Sequence, residues 1–153
     1  MISTKISCKQ NPLLIDMAKQ IKKSKVLRLV LKKKWFDMLS NGKKEEYREI
    51  KPYWIRRLVY SILPEEHSGE NSNIPDDFYY DITWNGHDPK EVFKAYYSVF
   101  RTFEWVELSL GYQKERPVKL AKVKRIRIGK PKAKWCEPED VGKWVFVIEL
   151  EML

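Results

Sequence analysis

Residues 42 to 58 read GKKEEYREIKPYWIRRL. Lysines, glutamates and arginines alternate there with large rings, and these are the side chains most able to do chemistry. A lysine and an arginine converging on one hollow suit a phosphate or a nucleobase carbonyl, because the guanidinium is a planar fork and the ammonium a point charge. Lys43 or Lys44, with Arg48, supply that pair, and Glu46 can hold either cation or accept from a base's exocyclic amino group. Tyr47, Tyr53 and Tyr112 are candidates to stack on bases, and the turn YQKERP offers Lys114 and Arg116 as a second phosphate contact. A competing structural account is an ion-pair ladder of Lys44, Glu46 and Arg48 on an exposed strand, contributing about 0 to 1 kcal/mol. Trp35 and Trp54 lie at helical spacing with other apolar groups and read as core. Catalysis would require a lysine of lowered pKa or a carboxylate beside a substrate water, which Glu104 or Glu107 could supply from a neighbouring strand.

These residues must be positioned by the elements around them. VLRLVL, from Val26, alternates Leu27, Leu29 and Leu31 with other side chains, the period of a strand with one face in a core. WFDMLSNG follows as a short helix stopped by Asn41-Gly42. Extended chain after Gly42 places Lys44, Glu46 and Arg48 on one side and Lys43, Glu45 and Tyr47 on the other. A second short helix starts at Pro52. LPEEHSGENSNIPDD, residues 63 to 77, reads as a surface loop, and DFYYDITW as a strand because of its aromatics. Asp88 and Pro89 then open a helix carrying Val92, Tyr96 and Val99. From Phe103 the pattern is β: FEWVELSL, a turn at Gly111, VKLAKVKRIRI and KWVFVIELEML. The two parities of residues 118 to 128 both mix apolar and basic groups, which predicts a bulge or a partly exposed barrel face. Ahead of all this, NPLLIDMAKQIKK, residues 11 to 23, reads as a leading amphipathic helix.

Composition limits the classes available. The 153 residues, 43% hydrophobic and 13% aromatic, fit one ordinary globular domain. No apolar run approaches the roughly 18 residues of a membrane span, and no signal peptide is evident at the start, so a cytoplasmic protein without membrane association is expected. Cys8 and Cys136 are too few for a disulfide framework, and with His67 and His87 they give no metal-ligand spacing, so neither metal nor cofactor is expected. The net charge of +9 is unevenly spread: +11 over residues 1 to 57, −7 over 58 to 110 and +5 over 111 to 153. If the first and last thirds pack together, their lysines form one positive surface suited to phosphates.

The succession of a Leu-rich strand, KKKWFDMLSNGKKEEYREIKPYW, FEWVELSLGYQKERP, IRIG and KWCEPEDVGKWVFVIELE resembles the ASCH domain family of the PUA-like superfamily, over about residues 26 to 151. Gly42 followed by lysine and the Glu46-x-Arg48 pair carries the resemblance, reinforced by Gly111-Tyr112 and Trp135. It implies a small β-barrel that binds RNA or nucleotides in a cleft at its mouth, beside the segment after the first helix. One bacterial branch hydrolyses the amide of acetylated cytidine with a lysine after the glycine, a threonine three residues beyond it and a later glutamate. If Lys44 is that lysine, Tyr47 stands in the threonine's place; if it is Lys43, Glu46 does.

The sequence therefore leads to an α+β protein: a small PUA-like mixed β-barrel with flanking short helices over residues 26 to 153, and an N-terminal helical extension over residues 1 to 25. It is expected to bind RNA or a modified nucleotide through Lys43, Lys44, Glu46, Tyr47, Arg48, Tyr112, Lys114 and Arg116. The alternatives are a hydrolase of N-acylated nucleosides or RNA, and a protein-interaction accessory module in which the leading helix docks on a partner.

Overall fold

In the computed structural model, residues 26–61, 76–84 and 86–153 are described; the leading helix at 11 to 23 and most of the loop at 63 to 77 lie outside them. The described chain is a mixed α+β structure whose main sheet curls into a half-barrel. Its elements in chain order are β1 (Val26–Leu31), α1 (Lys33–Leu39), β2 (Glu45–Glu49), α2 (Pro52–Leu58), β3 (Val59–Ser61), α3 (Asp76–Thr83), α4 (Pro89–Ala95), β4 (Ser98–Phe100), β5 (Trp105–Leu110), β6 (Val118–Gly129) and β7 (Val145–Met152). Two 3₁₀ turns, Ala133–Trp135 and Pro138–Asp140, interrupt the segment between β6 and β7.

Five strands form the sheet in the order β1-β5-β6-β7-β2, with β1 parallel to β5 and the other pairs antiparallel. Leu27, Leu29 and Leu31 of β1 are buried, as their alternation requires. On β7 the same logic sends Phe146, Ile148 and Leu150 into the core, joined there by Val106 and Leu108 of β5 and Ile128 of β6. The bulge in β6 is present, as a register shift between Val123 and Arg125. It reconciles the two parities, because an extra residue flips which side chains face the core.

Two segments differ from the sequence reading. DFYYDITW is helical: Phe78 and Ile82, four apart, are its buried residues, and Asp76 and Asp77 occupy the first turn where the helix dipole favours acids. Helical spacing of the two core contacts outweighs the β preference of the aromatics. Val99 belongs to β4 and not to the preceding helix, which ends at Ala95 because Tyr97 takes a positive φ of 51°. Asp88 does cap that helix, accepting from the Lys90 N–H at 2.9 Å. The helices α3 and α4 are held together by an edge-on Phe78–Tyr96 contact with centroids 5.3 Å apart and by the Tyr96 hydroxyl donating to Asp81 at 2.5 Å. That hydrogen bond, with burial, pushes the Tyr96 hydroxyl up to about 12.

β1 and β2 are the two edges of the curled sheet, and no ladder joins them. Side chains bridge the gap instead. Arg48 of β2 donates from Nη2 to the Val30 carbonyl at 3.1 Å, and Arg57 of α2 from Nη2 to the Arg28 carbonyl at 3.5 Å. Both acceptors lie on β1 two residues apart, so they point to the same side of that strand, toward the seam.

Candidate functional site

A cleft of about 790 Å³ opens at this seam. Its floor comes from β2 and the turn before it. Gly42, at φ +93°, adopts a left-handed conformation that only glycine takes freely, and the chain then enters β2 with the Lys43 N–H donating to the Met38 carbonyl at 3.1 Å. Lys43 precedes the ladder, so strand alternation does not fix its direction, and the turn sends it inward. Glu46 and Arg48 lie opposite Ile148 and Phe146 in the β2–β7 register, on the core-facing side. Three charges thus meet below the cleft. Lys43 Nζ donates to Glu46 Oε1 and to the Glu45 carbonyl at 2.5 Å. Arg48 Nη1 donates to Glu46 Oε2 at 3.2 Å and to the Tyr47 carbonyl at 2.7 Å. The Arg48 guanidinium also lies 5.1 Å from the centre of the Trp54 ring.

Lys43 is only 1% exposed. Burial pulls its ammonium below the ordinary value of 10.5, against the opposing pull of Glu46. An ammonium bonded on two sides has one N–H left to offer, and Arg48 keeps part of its fork. The floor therefore combines residual donors with an acceptor that is already paired.

The walls are aromatic. Trp35, Trp54, Trp84, Trp135, Trp144 and the Tyr47 ring all line the cleft. Among the described residues, none of the five indoles packs on another; Trp54 meets Tyr53 and Trp84 meets Tyr80. Cations share four of these rings with any planar guest: Lys34 lies over Trp35, Arg48 and Arg57 over Trp54, Lys132 and Lys134 over Trp135, and Lys90 and Lys130 over Trp144. Glu137, Asp140, His87 and Cys136 belong to the polar lining, with Lys32, Glu49, Lys51, Thr83 and Lys143. Burial, then the carboxylates Asp140, Glu137 and Glu139, pushes the Cys136 thiol up, away from thiolate chemistry. Among the described residues no group of three or more His, Cys, Asp or Glu is placed to hold a metal ion.

Behind the floor, on the outer face of the sheet, a second polar cluster fixes the walls. Glu45 is buried and accepts from the Tyr47 hydroxyl at 2.8 Å, with Arg127 and Lys132 each 3.6 Å away. The Tyr47 oxygen in turn accepts from the Lys132 N–H at 3.1 Å, which ties β2 to the segment carrying Trp135 and Trp144. Burial, with the Glu45 contact, drives the Tyr47 hydroxyl well above its ordinary value, so it stays protonated. Beside them Arg125 and Arg127 contact Glu149 at 2.5 and 3.2 Å. Burial alone would raise that carboxyl, but the two guanidinium groups hold it below its ordinary value.

Of the residues singled out in the sequence, Lys43, Glu46, Tyr47 and Arg48 are brought together at the cleft. Lys44 is not: its side chain is exposed, and its carbonyl accepts from the Leu150 N–H at 2.7 Å. Tyr112, Lys114 and Arg116 do not line the cleft, and Tyr112 is 85% exposed on the β5–β6 hairpin. Tyr53 also stays outside, accepting from Arg57 Nη1 at 3.0 Å. Glu104 and Glu107 are absent from the lining, and Glu107 pairs with Arg28 at 3.6 Å. Trp35 and Trp54, expected in the core, pack against it partly buried and also line the cleft. Trp84, Trp144, His87, Glu137 and Asp140 were not foreseen. The available signal was the pair of tryptophans bracketing the proline- and glycine-punctuated WCEPEDVGKW, a loop composition carrying residues that usually belong to a core. No protein-family model, curated protein or solved structure matches this chain.

Proposed function

We propose that the protein is a PUA-like barrel of the ASCH type that binds RNA or a modified nucleotide, with a base seated in the seam cleft. The observation that supports this most is the buried Lys43–Glu46–Arg48 triad at the floor of a cleft of about 790 Å³ walled by five tryptophans. A base stacks on the indoles, each stacking contact contributing about 1 to 3 kcal/mol. The remaining N–H of Lys43 and the open edge of Arg48 donate to its carbonyl or ring nitrogens. The sequence resemblance, carried by these same residues, implies a ligand cleft beside the segment after the first helix. Quenching of intrinsic tryptophan fluorescence by cytidine and by other nucleosides tests the reading directly. Saturable quenching that weakens about 10-fold or more in Trp54→Ala, the loss of one such stacking contact, is the expected result. Absence of saturation with every nucleoside tested overturns it.

A second reading, hydrolysis of the amide of an N-acylated nucleoside, is favoured by one feature, the buried Lys43 with its lowered pKa beside a glutamate. A lysine so placed can act as base or nucleophile. Here the residue three positions on is Glu46 and not threonine. Release of acetate from N4-acetylcytidine, lost in Lys43→Met with the fold retained, distinguishes it from binding alone.

A further inference from the structure

If a nucleotide base enters the cleft, its phosphates need cations, and of the lining cations only Lys32, at the start of α1, is without a carboxylate among the described residues. Lys43 and Arg48 share the Glu46 carboxylate and donate to three backbone carbonyls, of Glu45, Tyr47 and Val30. Lys51 pairs with Glu49 at 3.7 Å and Lys143 with Asp140 at 3.5 Å. A phosphate drawn into the floor would also meet Glu46 itself.

The rim is different. Lys90 and Lys130 each lie 4.8 Å from the centre of the Trp144 ring, and Lys134 lies 4.3 Å from the centre of Trp135. Among the described residues, none of these three ammonium groups has a carboxylate within ion-pair distance. Each rests on a ring that lines the cleft, so its position is tied to the wall while its outer N–H groups face solvent. Trp84, also in the lining, is half exposed, with Tyr80 beside it at a centroid distance of 5.4 Å. A single base bonded to Lys43 and Arg48 at the floor and stacked beside them on Trp54 uses neither these lysines nor the Trp84–Tyr80 pair. A strand uses both.

We infer that the partner is a single-stranded nucleic acid rather than a free nucleotide, its phosphates crossing Lys90, Lys130 and Lys134 and a base adjacent to the bound one stacking on Trp84. This rests on the nucleotide reading of the cleft, and extends it from the pocket to the surface around it. Flexible backbone lets one base turn into the hollow while its neighbours remain on the rim, which a rigid duplex resists.

The test uses the full chain and a fluorescein-labelled single-stranded RNA of roughly ten nucleotides, within the usual span of such sites. Anisotropy titrations across a salt series give the slope of log K against log salt, tryptophan quenching by cytidine, which has no phosphate, reports the cleft alone, and quenching by cytidine monophosphate reports the cleft with one phosphate. Lys130→Ala/Lys134→Ala is expected to reduce the magnitude of the RNA slope by about 1.4, two phosphate contacts at about 0.7 each, with cytidine quenching still saturable at the parent concentration. Lys122→Ala/Lys124→Ala removes the same charge from β6, Lys122 standing seven positions and so roughly 23 Å before Gly129, and is expected to leave the slope unaltered. Equal slopes in the two variants, or an oligonucleotide bound no tighter than the mononucleotide, overturns the strand proposal while the nucleotide reading stands. Equal binding of duplex RNA, or equal competition by polyglutamate, overturns it too, by making the rim a general polyanion surface. Failure of both mononucleotide and strand to bind sinks the nucleotide reading itself.

Discussion

Glu46 is the acceptor shared by the buried Lys43 and the partly buried Arg48, and its removal leaves the Lys43 ammonium buried without a paired carboxylate. Glu46→Ala is therefore expected to cost about 3 to 5 kcal/mol in urea unfolding, the usual penalty for breaking a buried ion pair from one side. Lys43→Met should cost less, because Glu46 retains Arg48 and the methionine fills the buried volume. Glu149 gives a pH signature. Its carboxyl is held below the ordinary 4.5, so the unfolded chain takes up the proton first as the solution is acidified. Stability from this group is fully present above pH 4.5 and is lost as the pH falls through the depressed value. A thermal-melt series from pH 6 to 3 should show a shallower acid decline in Glu149→Gln than in the parent protein, and parallel curves would refute the role given to Arg125 and Arg127.

At the level of elements, the question is what holds the cleft's walls to its floor. Tyr47 joins β2 to the Trp135–Trp144 segment through one oxygen that donates to Glu45 and accepts from the Lys132 N–H. Tyr47→Phe keeps the ring on the wall and removes that oxygen. Loss of about 1 to 2 kcal/mol is expected, with a red-shifted tryptophan emission if the segment loosens and its indoles gain water. An unshifted spectrum would show that the segment is held by its other contacts. Here the legibility of the sequence divides cleanly. β1 was readable because alternation survives where one face is buried, β7 because the continuous apolar run VFVI marks a strand buried on both faces, and the helix at Pro89 because Asp88 and Pro89 are local signals. The helix at Asp76 was misread, since its aromatics favour strands locally and only packing of Phe78 and Ile82 decides otherwise.

Across the whole molecule, the sheet's two edge strands meet through arginines instead of a ladder, and the cleft opens at that same seam. Arg48→Lys tests this: one ammonium cannot reach Glu46, the Tyr47 carbonyl and the Val30 carbonyl together. About 2 kcal/mol of destabilisation is expected, together with faster hydrogen exchange along β1 than along β6. Uniform exchange across the sheet would separate closure from Arg48. Among the described residues no helix is long and apolar enough to cross a membrane. The strands at Val26, Trp105, Val118 and Val145, the short helices beginning near Trp35, Pro52 and Pro89, the mixed α+β class and the chemical character of residues 43 to 48 were legible in the sequence alone, because periodicity, turn residues and side-chain type are local properties. Which lysine turns inward was not, and neither were the engagement of Arg48 at the seam and the gathering of five tryptophans from distant segments around one hollow. Those depend on a curled sheet bringing its first and last strands face to face, a relation between residues far apart in the chain that no local pattern encodes.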